Sequence, residues 1–168
     1  MKFECGTPEI VDAFGTAAGI VASKGSRPGP QEVLLEVLPE NRLRVSATDL
    51  EVSLRLEKRM DEKSLQVETP GSVAVPAART LSILREIPGE TVGVESDGSA
   101  VTVSAGKSLF NVVARPVEEF PPLPKPGEKQ KVSLPSDLFR RMVRNTAFAA
   151  ATERVHYSLN GVYLTVVK

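Results

Sequence analysis

Ala105-Gly106-Lys107-Ser108 has the form of the end of a phosphate-binding loop, where a glycine, a lysine and a hydroxyl converge on phosphate oxygens. That loop needs another glycine five residues before Gly106; Val101 stands there, and the surrounding alternation is that of a hairpin. The phosphate-loop reading is rejected. Two carboxylate pairs, Asp61-Glu62 and Glu118-Glu119, could in principle serve acid–base chemistry. Each sits in a polar stretch without a neighbouring base or ligand set, which is the pattern of solvated surface. His156 has no serine or cysteine nucleophile with a known signature near it. Cys5 and His156 are the only cysteine and histidine, too few for a usual zinc site, so no catalytic residue, metal or cofactor is expected.

The arginines are more informative. In "PSDLFRRMVRNTAFAAA", Ser136 reads as an N-cap, and at about 100° per residue Arg140, Arg141 and Arg144 share one sector of the helix. Leu138, Phe139, Met142, Val143 and Thr146 cover the other side and are expected to pack. Lys24 and Arg27 after a first helix, with Arg79 and Arg85 on a second, add positive charge. Lys plus Arg and Asp plus Glu both number 21, so the whole chain is no polycation and any nucleic-acid affinity must come from local clustering. Aromatics are only 5% of residues, which argues against base stacking and for sequence-independent contact with the backbone. The plainer reading of these arginines is a solvated surface.

These side chains must be held by short elements, for 13 prolines and 12 glycines punctuate the 168 residues. Lys2–Cys5 reads as a strand, Thr7 as an N-cap, and Ile10, Phe14, Ala17 and Val21 as the buried stripe of a helix reaching about Ser23. "VLLEVL" and the near-alternating "RLRVSATDLEVSLRLEKRM" read as strands joined at Thr48-Asp49. Pro76 opens a second helix to about Ile87, and hairpins follow with turns at Asp97-Gly98 and Gly106. The fold class is α+β. "EEFPPLPKPGEKQ" is a proline-rich linker, giving a first domain over 1–120, a linker over 121–130 and a second unit over 131–168. Beyond the linker the order restarts: Lys131-Val132 opens a strand as Lys2-Phe3 does, a helix follows, and "VYLTVV" at Val162 matches "VLLEVL" at Val33. Val162–Val167 is therefore expected to be a strand whose partners lie beyond Lys168.

The lone cysteine fits a reducing compartment, and no signal peptide or membrane-spanning window is present; the expectation is a soluble, cytoplasmic protein with no membrane partner.

"MKFEC", "VLLEV", "ATDLEVSL", "GSVAVPA", "REIPGE", "EEFPPLP" and "YSLNGV" occur in the order and at the spacing of the bacterial sliding clamp, the beta subunit of DNA polymerase III. The chain resembles that family over nearly its whole length. The resemblance implies a DNA-clamp fold, here one complete clamp domain and the start of a second, in a homodimeric ring of three-domain protomers. Such a ring encircles duplex DNA without sequence specificity and tethers the replicative polymerase as a non-catalytic processivity factor. Its partners would be double-stranded DNA, polymerase III subunits, the clamp loader and a second protomer. It implies DNA-facing roles for Lys24, Arg85, Arg140, Arg141 and Tyr157, with Arg27 as a weaker addition. His156, Ser158 and Leu159 would form one wall of a pocket for partner peptides, and Arg79, Lys107, Leu109 and Val112 would lie near the ring's dimer interface. Three departures stand out: Pro28-Gly29-Pro30-Gln31 replaces the usual Pro-Ile-Leu, Arg79 falls one position later than usual, and His156 replaces an arginine. The rival reading is an α+β protein-interaction module that binds partner strands and has no DNA role; an enzyme ranks third.

Overall fold

The computed structural model describes residues 1–21, 31–124, 132–151 and 160–166. The chain divides into two compact units, Met1–Pro124 and Lys125–Lys168.

The first unit runs β1 (Lys2–Gly6), α1 (Thr7–Ala18), β2 (Glu32–Leu38), β3 (Arg42–Thr48), β4 (Ser53–Arg59), β5 (Leu65–Thr69), β6 (Gly71–Pro76), α2 (Ala77–Glu86), β7 (Thr91–Ser96), β8 (Ala100–Ala105) and β9 (Ser108–Val113). A strand, a helix and a three-stranded meander occur twice, with β5 between the two halves. Each leading strand joins the meander of the other half. The sheets are β5-β1-β7-β8-β9 and β4-β3-β2-β6, antiparallel throughout.

Period-two alternation explains the strands. In β2 Val33, Leu35 and Val37 point into the core, and in β3 Leu43, Val45 and Ala47 do so. Phe3 and Cys5 of β1, Val92 and Val94 of β7, and Val101 and Val103 of β8 supply the other sheet's apolar face. α1 closes the core with Ile10, Ala13, Phe14 and Ala17, all fully buried and spaced as one helical stripe. Cys5 is buried with them; loss of hydration, then the nearby Glu9, pushes its thiol up to about 12, which suppresses the reactive thiolate.

Three details differ from expectation. α1 ends at Ala18, short of Ser23. Thr7 is the first helical residue and Gly6 takes the cap position. The Thr7 hydroxyl does not cap because it donates to the carbonyl of Gly89 at 2.9 Å, while the Thr7 N–H donates to Glu90 O at 2.8 Å. Leu50 and Val52 do not continue the strand alternation. They stand exposed in the β3–β4 turn, where Leu50 has φ 76°, a strained value for a branched side chain.

Turn carboxylates hold the loops. Asp49 accepts from the N–H groups of Glu51 at 3.0 Å and Val52 at 2.6 Å, and Asp97 accepts from Ser99 N–H at 2.8 Å and Ala100 N–H at 2.9 Å. Asp61 accepts from Ser64 N–H at 2.8 Å and Lys63 N–H at 3.0 Å. Gly98, at φ 98°, is the residue type that the Asp97 turn demands. These bonds favour the ionised form and hold all three aspartates below their ordinary value; Glu57 is lowered chiefly by its hydrogen bond from Arg44. A carboxylate lowered by folding stabilises the native state above its unfolded pKa, and that contribution disappears as pH falls through the folded one. Stability is therefore expected to be level from pH 7 down to about 5 and to decline below about 4. Urea midpoints at successive pH values test this, and a decline that begins near pH 6 would contradict it.

The second unit holds α3 (Ser136–Ala147). Pro135, extended at φ −58° and ψ 132°, takes the cap position expected of Ser136, and no side chain caps the helix. The expected packing face is largely open: Phe139, Met142 and Val143 are 46%, 40% and 37% exposed, Thr146 is exposed, and only Leu138 is half-buried. Val132–Pro135 and Val162–Val166 belong to no strand, against the strands expected at 131 and 162. An apolar β-branched run becomes a strand only when another strand takes its N–H and C=O groups, and none pairs with these among the described residues. No helix among the described residues is long and apolar enough to cross a membrane.

Candidate nucleic-acid interface

α1 and α2 pack along a seam of small residues. Beside that seam opens a groove of about 780 Å³, lined by Gly15, Ala18 and Gly19 of α1 and its end and by Ala77 and Ala78 of α2. Leu81, Arg79 and Arg85 line it from α2. Arg85 lies in the last turn of α2, where a cation is favoured by the helix dipole. Neither arginine has an ion-pair partner among the described residues. Arg79, expected near a ring edge, thus shares the groove with Arg85.

On α3, Arg140, Arg141 and Arg144 are exposed as the helical period requires. Arg140 reaches Asp137 at 3.7 Å, whereas Arg141 and Arg144 have no ion pair among the described residues. Ser136, Phe139, Arg140, Val143 and Arg144 line a shallow groove of about 480 Å³, so the boundary between the basic and apolar sectors is itself a surface feature.

The sheets treat their arginines differently. Arg44 pairs with Glu57 at 2.8 Å and Glu36 at 3.6 Å, Arg42 pairs with Glu57 at 3.2 Å, and Arg115 pairs with Glu32 at 2.9 Å. Arg59 reaches Glu40 at 3.8 Å, leaving Arg55 as the exception on β4, unpaired among the described residues. Exposed pairs of this kind add little stability, but they cancel charge locally. The zero net charge is thus unevenly distributed: cations are mostly neutralised on the sheets and mostly free on the helices.

β9 is the last strand of its sheet, with no strand on its outer side among the described residues. Leu109 and Val113 are 64% and 77% exposed, Phe110 is 37% exposed, and Lys107 stands exposed beside them in the β8–β9 turn. Val112, expected among the interface side chains, is 1% exposed and faces the core. Alternation places it opposite Leu109, Asn111 and Val113, so its side chain is not part of the exposed edge. Phe110 and Val113 are the edge residues that sequence reasoning missed; alternation puts Val113 on the outward face with Leu109 and Asn111, whereas Phe110 shares the face of Val112 and is still 37% exposed at the sheet's last strand. Lys24, Arg27, His156, Tyr157, Ser158 and Leu159 lie outside the described residues. Among the described residues no cluster of three or more His, Cys, Asp or Glu side chains could hold a metal ion.

The profile of a family described as "DNA polymerase III beta subunit, N-terminal domain" matches residues 1–124. The beta sliding clamp of Caulobacter vibrioides (strain NA1000 / CB15N) is 29% identical over 170 residues, covering 99% of this chain and 44% of the relative. That of Vibrio cholerae serotype O1 is 31% identical over 168 residues, with the same coverage of 99% and 44%. Among solved structures, the Caulobacter crescentus pol III beta superposes with a TM-score of 0.87 at 28% identity, covering all of this chain and 44% of that one. The DNA polymerase III subunit beta of Pseudomonas aeruginosa gives 0.84 at 27% identity, covering 96% and 43%. The chain spans less than half the length of these relatives. Matched in sequence along residues 1–124 and in backbone along nearly its whole length, the chain belongs to the DNA polymerase III beta subunit family.

Proposed function

We propose that this chain is the leading portion of a bacterial sliding clamp: a first clamp domain over 1–120, a linker over 121–130 and the start of a second domain over 131–168. The clamp is a non-catalytic processivity factor that surrounds duplex DNA and tethers the replicative polymerase in the cytoplasm. Its other partners are the remaining polymerase III subunits, the clamp loader and a second protomer, which meets the β9 edge at Lys107, Leu109 and Phe110. Within this chain, Arg85, Arg140, Arg141 and Arg144 contact the DNA backbone, together with Lys24, Arg27 and Tyr157. His156, Ser158 and Leu159 contribute to a partner-peptide pocket.

The observation that carries the DNA reading is the contrast in charge pairing. Cations on the sheets are mostly matched by glutamates, whereas Arg79, Arg85, Arg141 and Arg144 on the helices are unmatched among the described residues. Unmatched, exposed guanidinium groups can release counterions from phosphate without reading a base. A non-sequence-specific tether needs that property. Fluorescence anisotropy with two unrelated 30-base-pair duplexes tests it. Log affinity should fall linearly with log salt, equally for both duplexes, and Arg85→Ala or Arg144→Ala should each reduce the slope by about one. Affinity that differs between the duplexes, or that is indifferent to salt and to these substitutions, would overturn the reading.

A further inference from the structure

Gly15 is an unexpected residue in the middle of α1. Glycine weakens a helix interior relative to alanine, and here no left-handed backbone requires it. Nor does helix packing require it: a Cβ placed on Gly15 would meet Leu81 Cδ1 at 3.7 Å and Arg85 Nη2 at 3.9 Å, both ordinary contacts. Alanine would fit. A longer side chain would run into Leu81 Cδ1 and the Arg85 guanidinium, and of the two the exposed Arg85 tip is the one free to be pushed aside.

We propose that Gly15 is a positioning residue for Arg85: its missing side chain lets the Arg85 guanidinium lie across the α1 backbone at the α1–α2 groove, held ready for an anionic ligand. The inference rests on the nucleic-acid reading above and deepens it, with the phosphodiester backbone of duplex DNA as the ligand. Arg85 leaves the last turn of α2 and spans the seam to α1, where Gly15 is half-buried. It makes no ion pair among the described residues, so no carboxylate there sets its direction, and its Nη2 lies near Gly15. Asp12, the acidic residue one turn earlier on α1, is engaged by Lys58. A flexible arginine loses rotamer freedom when it grips phosphate, and one already laid along a neighbouring helix has lost part of that freedom beforehand.

The test compares Gly15→Ala, Gly15→Leu, Gly15→Gln, Arg85→Ala and the Gly15→Leu/Arg85→Ala double variant in the full chain. Binding to a 30-base-pair duplex is measured across a salt series, and the Arg85 Nε–H signal is followed by NMR in the free protein. Gly15→Ala should keep the wild-type salt slope and raise the melting temperature. Gly15→Leu and Gly15→Gln should lower the slope by about one, as Arg85→Ala does, and the double variant should lower it no further. In the free protein, both longer substitutions should shift the Arg85 Nε–H signal toward that of a solvated arginine and speed its exchange with water. A wild-type slope in both Gly15→Leu and Gly15→Gln overturns the proposal, as does an additive loss in the double variant. Gly15→Gln decides the matter if Gly15→Leu does not fold. If Arg85→Ala leaves the slope unchanged, Arg85 is no phosphate contact and the ligand assignment falls. The free-protein signal then still reports whether Gly15 orients Arg85, so the two failures are separable.

Discussion

Replacing Phe14 with alanine is expected to lower the unfolding free energy by about 3–5 kcal/mol, the cost of removing a large aromatic side chain from a closed core. Phe14 is fully buried, and its companions on α1 include two alanines, Ala13 and Ala17, which cannot expand into the space it would leave. It is the main anchor of α1 against the sheets. Since a domain's whole stability is about 5–15 kcal/mol, this one change should move the urea midpoint far down or leave the unit partly unfolded at 37 °C. Circular dichroism at 222 nm is the suitable probe, because the chain has no tryptophan and both tyrosines lie in the second unit. A loss below about 1 kcal/mol would mean that Phe14 is not enclosed. Because Phe14 precedes Gly15, a loosened α1 should also flatten the salt dependence of DNA binding.

The second large effect is expected at the β9 edge. If β9 is the proposed ring edge, Phe110→Ala in a protein carrying the complete clamp should weaken self-association by about 30-fold or more, the loss of an aromatic hot spot, while costing less monomer stability than a change at the enclosed Val112. Val112→Ala should do the reverse, lowering stability and leaving association intact, because Val112 is enclosed and Phe110 is not. Sedimentation velocity and urea melts on the two variants separate these outcomes. If Phe110→Ala associates like wild type, β9 is not the ring-closing edge.

Much of this was legible in the sequence because it is local. β2, β3, α1, α2 and the Asp97-Gly98 turn are written in periods of 2 and 3.6 and in turn chemistry, and each appears within a few residues of its expected place. The exposure of Arg140, Arg141 and Arg144 also follows from spacing alone. What was not legible depends on distant partners. Nothing near Lys2 says that β1 will pair with both β5 and β7, about 60 and 90 residues away. Thr7 has the composition of a cap but spends its hydroxyl on Gly89. Val162–Val166 has the composition of a strand, yet strand formation is a property of a pair of segments. Gly15 carries no sequence signal at all, since its meaning lies in the side chain of Arg85.

The exchange of leading strands between the two halves of the first unit has a consequence for synthesis and for engineering. β1, made first, cannot complete its sheet until β7, β8 and β9 have been made, and the β2–β4 meander waits for β6. During translation no half of this unit can settle alone, and nascent chains shorter than about 113 residues should stay susceptible to proteases. The same interlock makes the exposed turn at Asp61-Glu62 a natural point of division. Two separate peptides cut there would each be unstructured, and mixing them should restore both sheets at once, giving a reporter that folds only when its halves meet.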